Sequence, residues 1–384
     1  MSTNQPVIDE VGLFSGVPQY DNFARMQQIN AVTEMTPSQQ PFEFSEGTRM
    51  SLPTTYEFEG ETRNTHSLLG ATHTAALLVI NKGEVRFEHY WLSGGRNVQW
   101  ISMSMAKSFV SALVGIALSE GHIKHLEEPI DKYVAGLKGS AYEGVRIKDV
   151  LQMSSGARWN EDYSDRDSEI FRLSEATAPG GSFDKFMASM PRETEPGTRC
   201  MYNSADTQAL GMLLAEATGV SLTDYMQEKL YSPLGMESSG YWVVDSAGRE
   251  MAYAGLLMTA RDFAKLGALY KNGGSWQGRQ IVPSDYVAAS IRADAAHVQA
   301  GGPMVGDHSF GPGYGYQWWL PAGNSGDYSA IGVYNQYIYV DPKRDTVIVK
   351  LSANPAYGTT TKEQDNKDLE NIAALQAISR HCVD

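Results

Sequence analysis

The chain has 384 residues, 42% of them apolar and 20% charged, a balance that excludes a disordered chain and predicts one large two-part domain or two domains. The formal net charge of −14 argues against nucleic acid or an anionic membrane as a partner, and two cysteines, Cys200 and Cys382, are too few for a disulfide framework. Residues 1–41 lack the basic start and apolar run of a signal peptide, and no uncharged stretch reaches membrane-spanning length, so a reduced, cytoplasmic protein is expected.

Residues 1–72 are polar and without a steady period, and read as an N-terminal extension laid over the surface, with one short helix within 22–32. The apolar run 73–80, the turn Asn81-Lys82-Gly83 and the alternating stretch 84–91 predict a hairpin of one central and one half-exposed strand. Residues 105–119 then form an almost uncharged, buried helix that Glu120-Gly121 stops.

One charge, Lys107, sits in the first turn of that helix, three residues after Ser104. Positions i and i+3 share a helix face, which brings the Ser104 hydroxyl to the Lys107 amine. A serine is a poor nucleophile without a neighbouring base, and an exposed lysine, with a pKa of about 10.4, is protonated at neutral pH. Burial and the positive end of the helix both favour the neutral amine. With Ser104 at the helix start, its own N–H is unpaired and free to face a developing oxyanion. Alone, the spacing is explained equally well by a helix cap and a lysine snorkelling to solvent.

From 124 to 239 the pattern turns helical and loop-rich, with short amphipathic segments at 149–153, 183–190 and 207–218. A helix follows at 260–272, a second hairpin at 334–340 and 346–351 around the turn 341–345, and a terminal helix at 362–380. This order predicts an α+β fold: an antiparallel sheet flanked by helices (about 73–123 and 240–384), an all-helical lobe (about 124–239), and an active site in the cleft between them.

Three motifs then fall in line: Ser104-Met105-Ala106-Lys107, Tyr202-Asn203-Ser204, and Ala330-Ile331-Gly332-Val333 ahead of a strand. Phrases such as Asp149-Val150-Leu151-Gln152-Met153-Ser154-Ser155-Gly156 and Ser232-Pro233-Leu234-Gly235-Met236 join them. On these residues the chain, over about 73–380, resembles the serine hydrolases of the β-lactamase and penicillin-binding-protein fold, with their S-x-x-K, Y-x-N and K-T-G motifs. It looks most like their class C-like esterase and amidase branch. Trp159-Asn160-Glu161-Asp162-Tyr163-Ser164-Asp165 is similar to the active-site loop of the 6-aminohexanoate-dimer (nylon-oligomer) hydrolases within that branch.

The resemblance implies that Ser104 forms an acyl-enzyme, that Lys107 takes its proton or lowers the pKa of Tyr202, and that Tyr202 passes a proton to the leaving group. It puts the oxyanion hole at the N–H groups of Ser104 and Val333, with Gly332 allowing close approach. Tyr163, Ser204, Ala330 and Gly332 take substrate-binding positions. Ala330 stands where β-lactamases hold a carboxylate with lysine, and Ser204 where they carry asparagine, so β-lactams and D-Ala-D-Ala peptides are expected to bind poorly. Small esters and linear amides are the expected substrates. A β-lactamase or D-alanyl peptidase, and a non-catalytic binding protein of the same fold, are the rivals. The acidic residues Glu161, Asp162, Asp165, Asp167 and Glu169 either steer an amine-bearing substrate or form a solvated face. No cofactor is implied, and His122 and His125 lack partners for a metal. The expected partner is the small-molecule substrate; a homodimer is compatible with these features.

Overall fold

A computed structural model describes residues 12–382, save 302, 306, 307, 310 and 324. An eight-stranded sheet organises the chain: β1 (Ser45–Glu46), β2 (Thr74–Asn81), β3 (Glu84–Tyr90), β4 (Gly313–Tyr314), β5 (Trp319–Leu320), β6 (Tyr328–Gly332), β7 (Gln336–Asp341) and β8 (Thr346–Ser352). Their spatial order is β4-β5-β6-β7-β8-β2-β3-β1, antiparallel throughout except where β1 runs parallel to β3 at the edge. β2 is buried along its whole length because a core covers each of its faces, whereas β3 alternates between buried and open positions. Lys82 and Gly83 join them at φ +53° and +79°, the two left-handed residues of a tight hairpin turn.

Side chains of period two deliver the same strands to two cores. Leu78, Ile80, Ile338, Val340, Val347 and Val349 face one core, which also holds Phe109 and Leu113 of α1 (Ala106–Ser119). Leu77, Val79, Tyr337, Tyr339 and Ile348 face the other. Between Ile101 and Gly240 no described residue belongs to a strand, and this helical part includes α2 (Ile147–Leu151) and α3 (Ser204–Thr218), with α3 packed on α1. Helix α4 (Ala260–Lys271) lies against β7 and β8 at Gly267, where an added Cβ would come within 2.6 Å of Val347. Helix α5 (Asp368–His381) covers the second core with Leu375 and Ile378. No described helix is long and apolar enough to cross a membrane.

Local backbone geometry corrects three expectations. The terminal helix is broken: Lys367, at φ +56°, separates a single turn, Glu363–Asn366, from α5. The strand expected from 334 begins at Gln336, because Tyr334 and Asn335, at φ +65° and +68°, make the turn from β6. The N-terminal segment is more than a surface wrap. Its strand Val32–Met35 pairs with Gly240–Val243, which continues through Leu256–Met258 to Trp100–Ile101 as a second sheet. Phe23 and Met35 are fully buried, and the hairpin Thr55–Phe58/Glu61–Asn64 is tied to α5 by Tyr56 OH donating to Glu370 Oε1 at 2.7 Å. Residues 1–11 of the expected extension lie outside the described residues.

Candidate active site

Helix α1 is entered through one 3-10 turn, Met103–Met105, in which Met103 holds φ +47°, a conformation that costs a non-glycine residue about 1–2 kcal/mol. The preceding residue anchors this turn to the second sheet: Ser102 N–H donates to Leu256 O at 2.7 Å and Ser102 Oγ to Ala254 O at 3.2 Å. Ser104 follows, with its hydroxyl 2.8 Å from Lys107 Nζ.

Lys107 does not snorkel. It is 1% exposed, and its amine lies 3.1 Å from Ser204 Oγ and 2.9 Å from the Tyr253 carbonyl oxygen. Burial pulls its pKa down to about 7, against the attraction of the Glu161 carboxylate, which pulls the other way.

Glu161, read from sequence as part of an acidic surface loop, is 1% exposed. Its Oε1 accepts from Ser204 Oγ at 2.6 Å and Tyr163 OH at 2.7 Å, and its Oε2 from Ser204 N–H at 3.0 Å and from Trp159 Nε1. Four donors on a carboxylate, one of them the N–H at the start of α3, satisfy a buried charge that would otherwise be very costly. The other acidic residues of the loop are turned to local work: Asp165 bonds Asn160, and Glu169 meets Arg158 and Arg172. The signal for Glu161 was the alternation Trp159, Glu161, Tyr163, an apolar rhythm of period two with the carboxylate inside it.

Tyr202 precedes α3, whose N-cap Asn203 accepts from Ala205 N–H. Its ring stacks on Trp319 with centroids 5.1 Å apart, and Lys107 Nζ lies 5.1 Å from its ring centroid. Burial pushes its phenol well above the usual tyrosine value. The protonated phenol is thus favoured in the resting site.

Strand β6 ends beside Ser104. A Cβ on Gly332 would sit 2.6 Å from Ser102 O and 3.0 Å from Ser104 N, so only glycine lets the strand approach this closely. Val333 lines the same cleft. Ala330 does not: alternation along β6 turns its methyl into the core with Tyr334 and Ile338 and presents Ile331 to the cleft instead. Ser204 is likewise turned from its expected place in the cleft, because its hydroxyl is committed to Lys107 and Glu161. Tyr163 reaches the cleft with its hydroxyl held by Glu161.

The cleft has a volume of about 900 Å³. Ser104, Tyr202, Gly332 and Val333 line it, together with the carboxylates Glu161, Asp162, Glu193, Glu363 and Asp368 and the guanidinium of Arg199. Burial beside Glu370 pushes Glu363 up to about 7, and burial beside Glu363 raises Asp368 further. Among the described residues no cluster of His, Cys, Asp and Glu is placed to hold a metal ion. The backbone carbonyl of Tyr253, an acceptor for Lys107, carried no signal in the sequence.

A serine and lysine one helical turn apart, set under the end of a strand of a mainly antiparallel sheet and opposite a tyrosine from a helical lobe, is the architecture of the β-lactamase-fold serine hydrolases. The Beta-lactamase family model matches residues 63–372, and the chain belongs to that family. It is 29% identical over 295 residues to the 6-aminohexanoate-dimer hydrolase of Paenarthrobacter ureafaciens, covering 75% of this chain and 74% of that one. A Bacillus anthracis structure provisionally assigned as a 6-aminohexanoate-dimer hydrolase superposes with a TM-score of 0.82 at 24% identity, over 94% of both chains. A family VIII carboxylesterase shares the fold at a TM-score of 0.59 and 15% identity, over 80% of this chain and 92% of that one.

Proposed function

We propose that the protein hydrolyses small carboxylic esters, and linear amides of the 6-aminohexanoate type more slowly, through an acyl-enzyme on Ser104 with Lys107 as base and Tyr202 as proton donor. The observation that carries this reading is the count of protons around Lys107. Ser204 must donate its hydroxyl hydrogen to the Glu161 carboxylate, which has none to give, so its oxygen can only accept from Lys107. The Tyr253 carbonyl likewise only accepts. A neutral amine has two hydrogens. In the neutral form, which a pKa of about 7 makes available at neutral pH, both are spent there and the lone pair is left for the remaining neighbour, the Ser104 hydroxyl.

With the amine neutral, the protons run one way, from Ser104 to Lys107 to Ser204 to Glu161. As Ser104 attacks a carbonyl, its proton passes to Lys107, and the oxyanion forms between the N–H groups of Ser104 and Val333. The new ammonium, beside the Tyr202 ring, lowers the barrier for the phenol to give its proton to the leaving oxygen or nitrogen. Lys107 returns a proton to Tyr202, and water clears the acyl group by the reverse route.

Esters rank above amides because an alkoxide leaves more readily than an amide anion. An anionic β-lactam is disfavoured because the carboxylates Asp162 and Glu193 line the cleft and, among the described residues, no lysine does. The test is a panel of p-nitrophenyl esters, a linear 6-aminohexanoate dimer and a chromogenic cephalosporin, run with the intact protein and Ser104→Ala. Ester turnover that needs Ser104, slower amide turnover and slower cephalosporin turnover are expected. Ester rates unchanged in Ser104→Ala, with no fluorophosphonate labelling of Ser104, would overturn the reading.

A further inference from the structure

Two cavities meet at Ser104. One is the acid-lined cleft of about 900 Å³; the other is a smaller space of about 60 Å³ walled by Leu13, Phe14, Met26, Met103, Val243 and Met251. Ser104, Tyr163 and Val333 line both, and no charged side chain lines the smaller one. We infer that the smaller space is the acyl pocket, and that Phe14 is the residue that sets how long an acyl chain it accepts. This rests on the hydrolase reading above.

The choice of arm follows from Tyr202. It lines the cleft and not the smaller space, so a leaving group that takes its proton departs through the cleft. The acyl group, fixed at the same carbonyl carbon but on the other side of Ser104, is left with the apolar space. Apolar walls stabilise an alkyl chain there. The polar residues that also line the space, Asn30, Ser174, Ser204 and Tyr253, include no carboxylate for a terminal ammonium, so a 6-aminohexanoyl group fits it poorly and its amides are the slower substrates. Taking the ~150 Å³ of a cavity that binds benzene as the scale, about 60 Å³ holds two or three carbons beyond the carbonyl.

The wall that limits this length is built in. The Phe14 ring stacks on Tyr163 and Tyr334, with centroids 4.5 and 4.9 Å apart. Phe14 N–H donates to Tyr334 OH at 2.6 Å, and Arg166 Nη2 to Leu13 O at 2.8 Å. A Cβ at Gly358 would come 2.3 Å from Phe14 Cδ1, so that glycine leaves the room the ring occupies. These contacts hold Phe14 at φ +55°. Leu13 and Phe14 also precede residues 63–372, so the wall is added to the part of the chain that matches the family.

The test is the chain-length profile of kcat/KM for p-nitrophenyl acetate, propionate, butyrate, hexanoate and octanoate, in the intact protein, Phe14→Ala and Ala254→Leu, with folding checked by melting. Ala254 lines the smaller space, and leucine there fills it. The intact protein is expected to peak at propionate or butyrate and to fall about 10-fold or more by hexanoate. Phe14→Ala moves the peak to hexanoate or beyond, and Ala254→Leu moves it to acetate. An unmoved profile in folded Phe14→Ala, or in Ala254→Leu should the first variant not fold, overturns the inference while the hydrolase reading stands. Ester turnover that does not need Ser104 in the intact protein overturns the hydrolase reading instead.

Discussion

Lys107 and Glu161 face each other through one hydroxyl: Ser204 Oγ lies 3.1 Å from the amine and 2.6 Å from the carboxylate. The carboxylate therefore acts on Lys107, the proposed base, in two ways. It takes the Ser204 proton, which leaves Ser204 able only to accept, and its charge favours the ammonium form of Lys107. Replacing Glu161 with glutamine removes that charge, so the Lys107 pKa falls further. The acid limb of the kcat/KM profile is expected to move to lower pH, below its midpoint near 7 in the unmodified protein. The glutamine NH2 group also replaces one carboxylate oxygen and faces two of the four donors, and losing hydrogen bonds to a charged acceptor costs about 2 kcal/mol in stability. A pH–rate series with a denaturation midpoint checks both; an acid limb that stays in place would show that Glu161 does not tune the base.

Lys107 itself makes a claim about stability. Its folded pKa of about 7 lies below the 10.5 of an unperturbed lysine, so between those values the unfolded chain binds a proton that the folded one does not. Stability is therefore lost as pH falls from 10.5 to about 7, and this contribution levels off below that. Lys107→Met removes the group, and its stability relative to the unmodified protein is expected to improve over that window as pH falls. Activity moves the other way. Losing the base costs about 10²–10⁴ in kcat, measured with a p-nitrophenyl ester. Full activity in Lys107→Met, or a stability difference independent of pH, would rule out the neutral amine.

What could be read in the chain was what is local. Ser104 and Lys107 meet because they lie three apart on one helix, and β2 and β3 meet because a two-residue turn joins an apolar run to an alternating one. The second sheet had no such signature: its four strands are two to four residues long, and residues 32–35 meet 240–243 only through the tertiary fold. The same limit hid Phe14, whose neighbours Tyr163, Tyr334 and Gly358 are distant in sequence. Ala330 was misplaced for another reason. A motif gives order along a strand, whereas the face each position takes depends on the pleat, and here the cleft receives Ile331.

Gly332 carries a steric prediction. A methyl at this position has nowhere to go between Ser102 O at 2.6 Å and Ser104 N at 3.0 Å, both backbone atoms that cannot rotate aside. Gly332→Ala must push β6 away from the start of α1, and with it the Val333 N–H. Losing one oxyanion donor costs about 2.7–4 kcal/mol in the transition state, so kcat is expected to fall about 10²–10³-fold, with KM changing little. Steady-state kinetics on one ester suffices, and an alanine variant with ordinary kcat would remove Val333 from the oxyanion hole.

Tyr202 is the member of the site whose contribution depends on what leaves. Burial favours its protonated phenol, so in the proposed mechanism it acts as an acid and not as a base. A p-nitrophenolate needs little help to depart, whereas an alkoxide must be protonated as the bond breaks. Tyr202→Phe is therefore expected to cost about 10²–10⁴ in kcat/KM on a simple alkyl ester and much less on the matching p-nitrophenyl ester. The ring itself packs on Trp319 and Tyr314, contacts that phenylalanine retains, so the melting temperature should hold. Comparing the two esters in one variant separates proton donation from packing. An equal loss on both would mean that Tyr202 shapes the cleft without giving up a proton, and the base would then have to serve the leaving group by itself.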